Sequence, residues 1–310
     1  MHARYWRSAA AVILLASTAA CAGGGAPKAQ STPTVDSPRA RPAPKPIAGL
    51  RLPIEDYMPS PSEIHEENSA WVAVITACLK RYGITNSTPT PAFRGPKTLL
   101  ELRYGTSDVD WASRYGYWMP GDDRPAPSAP PPHPDEAKLM TGVVRTYAGK
   151  AVPTGGCVQE ARASTSGNPD ISSERYNRLI NVTSQLASKT FRLAREQPSV
   201  RRTEEAWSAC MKAEGYSFPA DVFAASDSLQ LPAQRPAPAK DSKEVATAAA
   251  DSRCVQKSGV IQAWFAAEAK LQKKAISQKP AEWAKLRQSY RVREANVSRI
   301  LRNLKTEKPQ

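Results

Sequence analysis

The chain has 310 residues, with 43 Lys and Arg against 29 Asp and Glu, a formal charge of +14 and only three His. Basicity on this scale favours polyanionic partners. The stretch His65-Glu66-Glu67-Asn68-Ser69 is not HExxH, and no G-x-S-x-G, P-loop or Gly-rich dinucleotide turn occurs, so the sequence calls for no metal, cofactor or nucleotide.

Met1 to Ser8 carry Arg4 and Arg7 with no acidic residue, and Ala9 to Ala20 form a small apolar run. This is the layout of a secretory signal. As a helix the run covers about 18 Å, too short for a hydrocarbon core of about 30 Å. Thr18-Ala19-Ala20-Cys21 resembles the bacterial lipobox, which implies lipidation of Cys21 and cleavage just before it. Thr18 departs from that pattern, where Leu is usual, and cleavage after Cys21 to give a secreted product stays open. Residues 1–20 are thus read as a lipoprotein signal and residues 21–59 as a lipid-anchored tether. The tether is rich in Ala, Pro, Ser and Thr, a composition that cannot bury a core. It spans about 35 Å as coil and about 118 Å at polyproline pitch.

Ser60-Pro61-Ser62-Glu63 is a capping box with Pro at the first helical position. Ile64, Trp71, Ile75, Cys78 and Tyr82 then recur at helical spacing, and Gly83 ends the helix. Arg-Tyr-Gly occurs at 81–83, 103–105 and 114–116, and Ser107-x-x-Asp110 can cap a short helix leading to Arg114. Tyr104, Trp111, Tyr115, Tyr117 and Trp118 crowd this segment. They are the candidate ligand-binding residues, as a stacking platform for sugar rings or a peptide groove; the other reading is core. Asp108 and Asp110 stand two apart and would diverge on a helix, which makes a weak hydrolytic pair.

Pro-rich inserts occupy 119–134 and 232–238. Helices are predicted over 173–197, stopped by Pro198, and over 200–214, closed by Gly215. The last long helix starts near Asp241-Ser242, passes Cys254 and breaks before Pro280. A stripe through Trp283, Leu286, Tyr290, Val297, Ile300 and Leu304 restarts after it, so the two are expected to pack as an antiparallel hairpin. Residues 268–310 hold twelve Lys or Arg against four Glu.

With Cys21 set aside, four cysteines remain, which suggests two disulfides outside the cytosol. Cys78-x-Lys80-x-x-Gly83 echoes Cys210-x-Lys212-x-x-Gly215, and Cys157-Val158-Gln159 echoes Cys254-Val255-Gln256. The echo predicts Cys78–Cys157 and Cys210–Cys254, within two helical units, 60–198 and 199–305. The expected fold is an all-α, disulfide-braced helical bundle with a disordered N-terminal tether and a C-terminal antiparallel hairpin.

These motifs, with Gly-Cys-Val-Gln-Glu-Ala at 156–161 and Trp-Ser-Ala-Cys-Met-Lys-Ala-Glu-Gly at 207–215, resemble a family of uncharacterised actinobacterial lipoproteins over residues 60–300. The resemblance implies the architecture and a place on the outer face of the cell membrane. The function expected first is a non-catalytic envelope lipoprotein that binds a protein partner, as an accessory to transport or wall machinery. A binding module for wall glycan or another anionic polymer is the second reading, and a hydrolase with a carboxylate site the third. Besides the membrane reached through Cys21, the candidate partners are an envelope protein or an anionic wall polymer; nucleic acid is not one.

Overall fold

The computed structural model describes residues 49–85, 98–101, 103–120, 122–123 and 131–306. The signal segment, Cys21 and the tether as far as residue 48 lie outside the described residues, as does part of the first Pro-rich insert.

Ten helices and one two-stranded hairpin make up the described chain. Helix α1 (Pro61–Lys80) opens on the predicted capping box: the Ser60 Oγ accepts from the Glu63 amide at 3.2 Å, and the Glu63 carboxylate accepts from the Ser60 amide at 2.6 Å. Helix α2 (Val109–Tyr115) is capped by Asp108, which accepts from the Trp111 amide, one residue on from the expected Ser107. Then come α3 (Glu136–Thr141), strands β1 (Thr146–Tyr147) and β2 (Lys150–Ala151), and α4 (Gly156–Ser166). The antiparallel hairpin was not predicted. It turns through Ala148 at φ +47° and Gly149 at φ +74°.

Helices α5 (Ser173–Arg195) and α6 (Pro198–Ala213) meet at Pro198 as expected. After the short α7 (Ala224–Asp227), the predicted long helix is two, α8 (Lys243–Ser258) and α9 (Val260–Ser277). Gly259, at φ +68°, separates them in a left-handed conformation that only glycine adopts cheaply. Helix α10 (Pro280–Thr306) begins at the predicted break.

Both disulfides join the pairs that the echo indicated, with Cα–Cα distances of 5.7 Å for Cys78–Cys157 and 5.6 Å for Cys210–Cys254. The duplication extends to the caps. The Ile84 amide donates to the Leu79 carbonyl at 3.2 Å, and the Tyr216 amide to the Met211 carbonyl at 2.9 Å, each past a positive-φ glycine five residues after its Cys. The echoed glutamines also act alike: Gln159 donates to the Ile171 carbonyl and Gln256 to the Ser107 carbonyl, each pinning a loop. The echo is incomplete in one respect. Cys157 opens α4, whereas Cys254 lies near the end of α8.

Three expectations change. Composition extends the tether to residue 59, but Leu52, Ile54 and Met58 are buried in the main core, where a 3-10 turn at Pro53–Asp56 seats them. Apolar burial outweighs the Pro-rich surroundings there. Second, α10 packs across α1 and α4 and only marginally on α9, so the antiparallel hairpin does not form. Third, the units are not consecutive in sequence. Helices α1, α3, α4 and α10 form one group, and the 3-10 turn with α2 and α5–α9 forms the other, so the chain crosses between groups five times.

The smaller core surrounds Cys78–Cys157 with Leu79, Tyr82, Ile84, Leu139 and Val152. Gly142 and Gly156 let α3 meet α4 there, because a Cβ on Gly156 would lie 2.3 Å from the Leu139 carbonyl. The larger core holds Trp207, Trp264, Tyr104, Met211 and Val255 around Cys210–Cys254. Replacing Cys210 and Cys254 together by Ser is expected to cost about 2–5 kcal/mol. Guanidinium unfolding followed by circular dichroism measures this, and an unchanged midpoint would show the bridge to be dispensable.

Candidate functional site

The aromatic segment is core, which corrects its assignment as a binding platform. Tyr104 and Trp118 are fully buried and Trp111 is 6% exposed. The Trp111 indole stacks on Trp118, at 6.3 Å between centroids, and lies 4.3 Å from Tyr115, while its Nε1 donates to the Trp118 carbonyl. Tyr104 packs between Phe191 and Trp264. Half-buried Tyr117 points its hydroxyl inward to Asp251. The ring faces are therefore spent on one another. Composition could not reveal this, since a bundle core and a sugar platform use the same side chains.

Two polar clusters lie inside the larger core. In the first, the Arg103 guanidinium grips Glu268 through two hydrogen bonds of 2.6 and 3.0 Å, with side chains 7% and 0% exposed. Tyr104, Thr190 and Gln272 also donate to that carboxylate, and Gln272 in turn accepts from the Ile54 amide at 3.0 Å. Burial works against the Arg103 charge, but its hydrogen bond to Glu268 and the attraction of that carboxylate outweigh it and raise its pKa. Burial, then the Glu268 charge, hold the Tyr104 phenol well above the usual tyrosine range. The cluster locks the lead-in segment (residues 49–60, which carry the 3-10 turn), the 103–104 turn, α5 and α9 together.

In the second, Asp251 is 1% exposed on α8 and accepts from Trp207 Nε1 and from the Tyr117 hydroxyl, each at 2.8 Å. No cation neutralises it among the described residues. Burial pushes its pKa up to about 7, against the opposing pull of the two hydrogen bonds. Trp207 and Asp251 stand one turn before Cys210 and Cys254, so this contact ties α6 to α8 beside the disulfide. The Tyr117 amide also donates to Glu244, which Arg235 holds through two bonds of 2.8 Å.

A cleft of about 550 Å³ opens where the lead-in segment, the first turn of α1 and the middle of α10 meet. Arg51, Arg287 and Arg291 face Glu55, Asp56, Glu63 and Glu294 across it, with Tyr290 and Met58 between. Most of these charges are engaged. Arg51 pairs with Asp56 at 2.9 Å, and Arg287 lies 3.6 Å from Asp56, stacks over the Tyr57 ring and donates to its hydroxyl. Burial pushes the Glu55 carboxyl up, despite the Leu52 amide. At Glu63 burial is outweighed by the Ser60 and Tyr290 hydrogen bonds, and the pKa falls. Arg291 and Glu294, one turn apart on α10, have no hydrogen bond or ion pair among the described residues. The cleft offers charge of both signs to a surface carrying both.

The other predicted site residues fall as follows. Cys21 lies outside the described residues, and the four remaining cysteines are bridged. Asp108 serves as the α2 cap, with Asp110 in the first turn behind it. Among the described residues no group of three His, Cys, Asp or Glu is placed to hold a metal, and no helix is long and apolar enough to cross a membrane. The sequence reading missed the cleft. Glu63 was legible only as a cap and Tyr290 only as part of a stripe, because the cleft exists through the crossing of α10 over α1.

No family model, curated protein or solved structure matches the chain.

Proposed function

We propose that the chain is a non-catalytic, membrane-anchored envelope lipoprotein that docks a protein partner at the cleft between the lead-in segment, α1 and α10. The observation that carries this reading is the cleft's lining of mixed sign, in which Arg291 and Glu294 form no hydrogen bond or ion pair among the described residues. A surface of mixed sign suits a protein epitope, where complementary charges fix register and partner choice. It suits a uniform polyanion poorly, because carboxylates line it as well as guanidinium groups. Burial of the aromatic segment likewise takes support from the glycan reading. The two disulfides belong to an oxidising compartment, which agrees with export and with the lipobox-like Cys21.

The test is a photo-crosslinking amino acid at position 291, activated in the native envelope and followed by mass spectrometry. A dominant protein adduct is expected that is absent when the same probe replaces exposed Gln185 on α5. Equal adducts from both positions, or none from 291, would remove the cleft as the docking site.

A further inference from the structure

We infer that the exposed lysine face of α9 is a second membrane contact that binds anionic phospholipid headgroups. The inference rests on the anchoring reading above, since the membrane concerned is the one the lipid would enter. Lys270, Lys273 and Lys274 lie at i, i+3 and i+4, all exposed on one face, while Trp264, Glu268 and Gln272 are buried on the other. Like charges at these spacings repel and destabilise a helix. Here nothing compensates, because no carboxylate pairs with any of the three among the described residues.

Lys273 also borders a groove of about 290 Å³ walled by Pro53, Tyr57, Ile276 and Pro280, in which Asp56 faces Arg287 at 3.6 Å, so the groove's own cation is matched and the free positive charge is that of the lysine row. Pro53 and Tyr57 belong to the segment through which the chain arrives from Cys21. The lysine row therefore stands at the corner where the tether joins the domain. Only 28 residues, 21–48, run from Cys21 to the described chain, so this corner is the part of the described domain nearest to the proposed lipid along the sequence. Each basic residue near an anionic surface adds appreciable attraction, and a single anchor is only marginal without a second signal.

The experiment uses the mature chain carrying Cys21→Ser, so that no lipid contributes, and vesicles of phosphatidylcholine with or without 30% phosphatidylglycerol. Sedimentation should show binding to the anionic vesicles alone, abolished by about 0.5 M salt. Lys270→Gln, Lys273→Gln and Lys274→Gln together should weaken it about 100-fold. A control replacing exposed Arg192, Arg201 and Arg202 by Gln should change it less than threefold. Equal loss in the two triple variants would show general basicity and overturn the inference. So would soluble poly-glutamate competing as well as anionic vesicles, since that marks a polymer site. Failure of fatty-acid labelling at Cys21 in cells, with vesicle binding intact, would instead remove the anchoring reading and leave the patch.

Discussion

Glu268→Ala should lower the unfolding free energy by about 3–5 kcal/mol, enough to drop the melting temperature by roughly 10 °C. Removal of the carboxylate leaves the Arg103 cation, with its side chain 7% exposed, facing no counter-charge. It also takes an acceptor from Tyr104, Thr190 and Gln272 at once. The pair itself need not be strongly stabilising, because desolvating two ions offsets most of their attraction. Adding Arg103→Met to Glu268→Ala should therefore recover part of the loss, so that the double variant is more stable than the sum of the singles. Denaturant unfolding of the four proteins measures this directly. Additive losses would mean that the two side chains contribute only packing.

Asp251→Asn should stabilise the protein at pH 8 and change little below about pH 4. The carboxyl titrates near 4 in an unfolded chain and near 7 in the fold. Between those values the folded state holds a proton that the unfolded state releases, so stability falls as pH rises through the window. The full effect is about 4 kcal/mol at most, expressed above pH 7 and absent below about pH 4. Asparagine keeps both contacts, since its oxygen can accept from Trp207 and its amide can donate to Tyr117. Melting curves of the parent and the variant should converge toward acid and separate by several degrees toward base. Parallel curves would show that Asp251 is not the group that titrates.

Much of the local structure could be read in the residues. Ser60-Pro61-Ser62-Glu63 states its own cap, Pro198 and Pro280 state their own breaks, and the repeated Cys-x-Lys-x-x-Gly supplied the disulfide pairing. What a stripe on a helix does not say is which surface will cover it. The stripe of α10 fits α9 as well as α1 on pattern alone, and only the three-dimensional arrangement chooses α1 and α4. Leu52 and Ile54 were hidden for a similar reason: two apolar residues beside proline carry no periodicity, yet they enter the main core. The cleft depends on both of these placements, so it was the least legible feature.

The interleaving of the two helix groups also bears on the order in which this chain can mature. If the chain is exported as proposed, it emerges from its N-terminus, and α1 and α4 then arrive long before the helix that covers them. Cys78 and Cys157 are 79 residues apart, and the cover for their neighbourhood is the last element of all. Until translocation ends, the first bridge sits in an unfinished shell while Cys210 emerges with a competing thiol. The fold thus asks for oxidation that is either delayed or correctable, and a fragment ending at residue 198 cannot substitute for the first half of the molecule, because α10 is its missing wall.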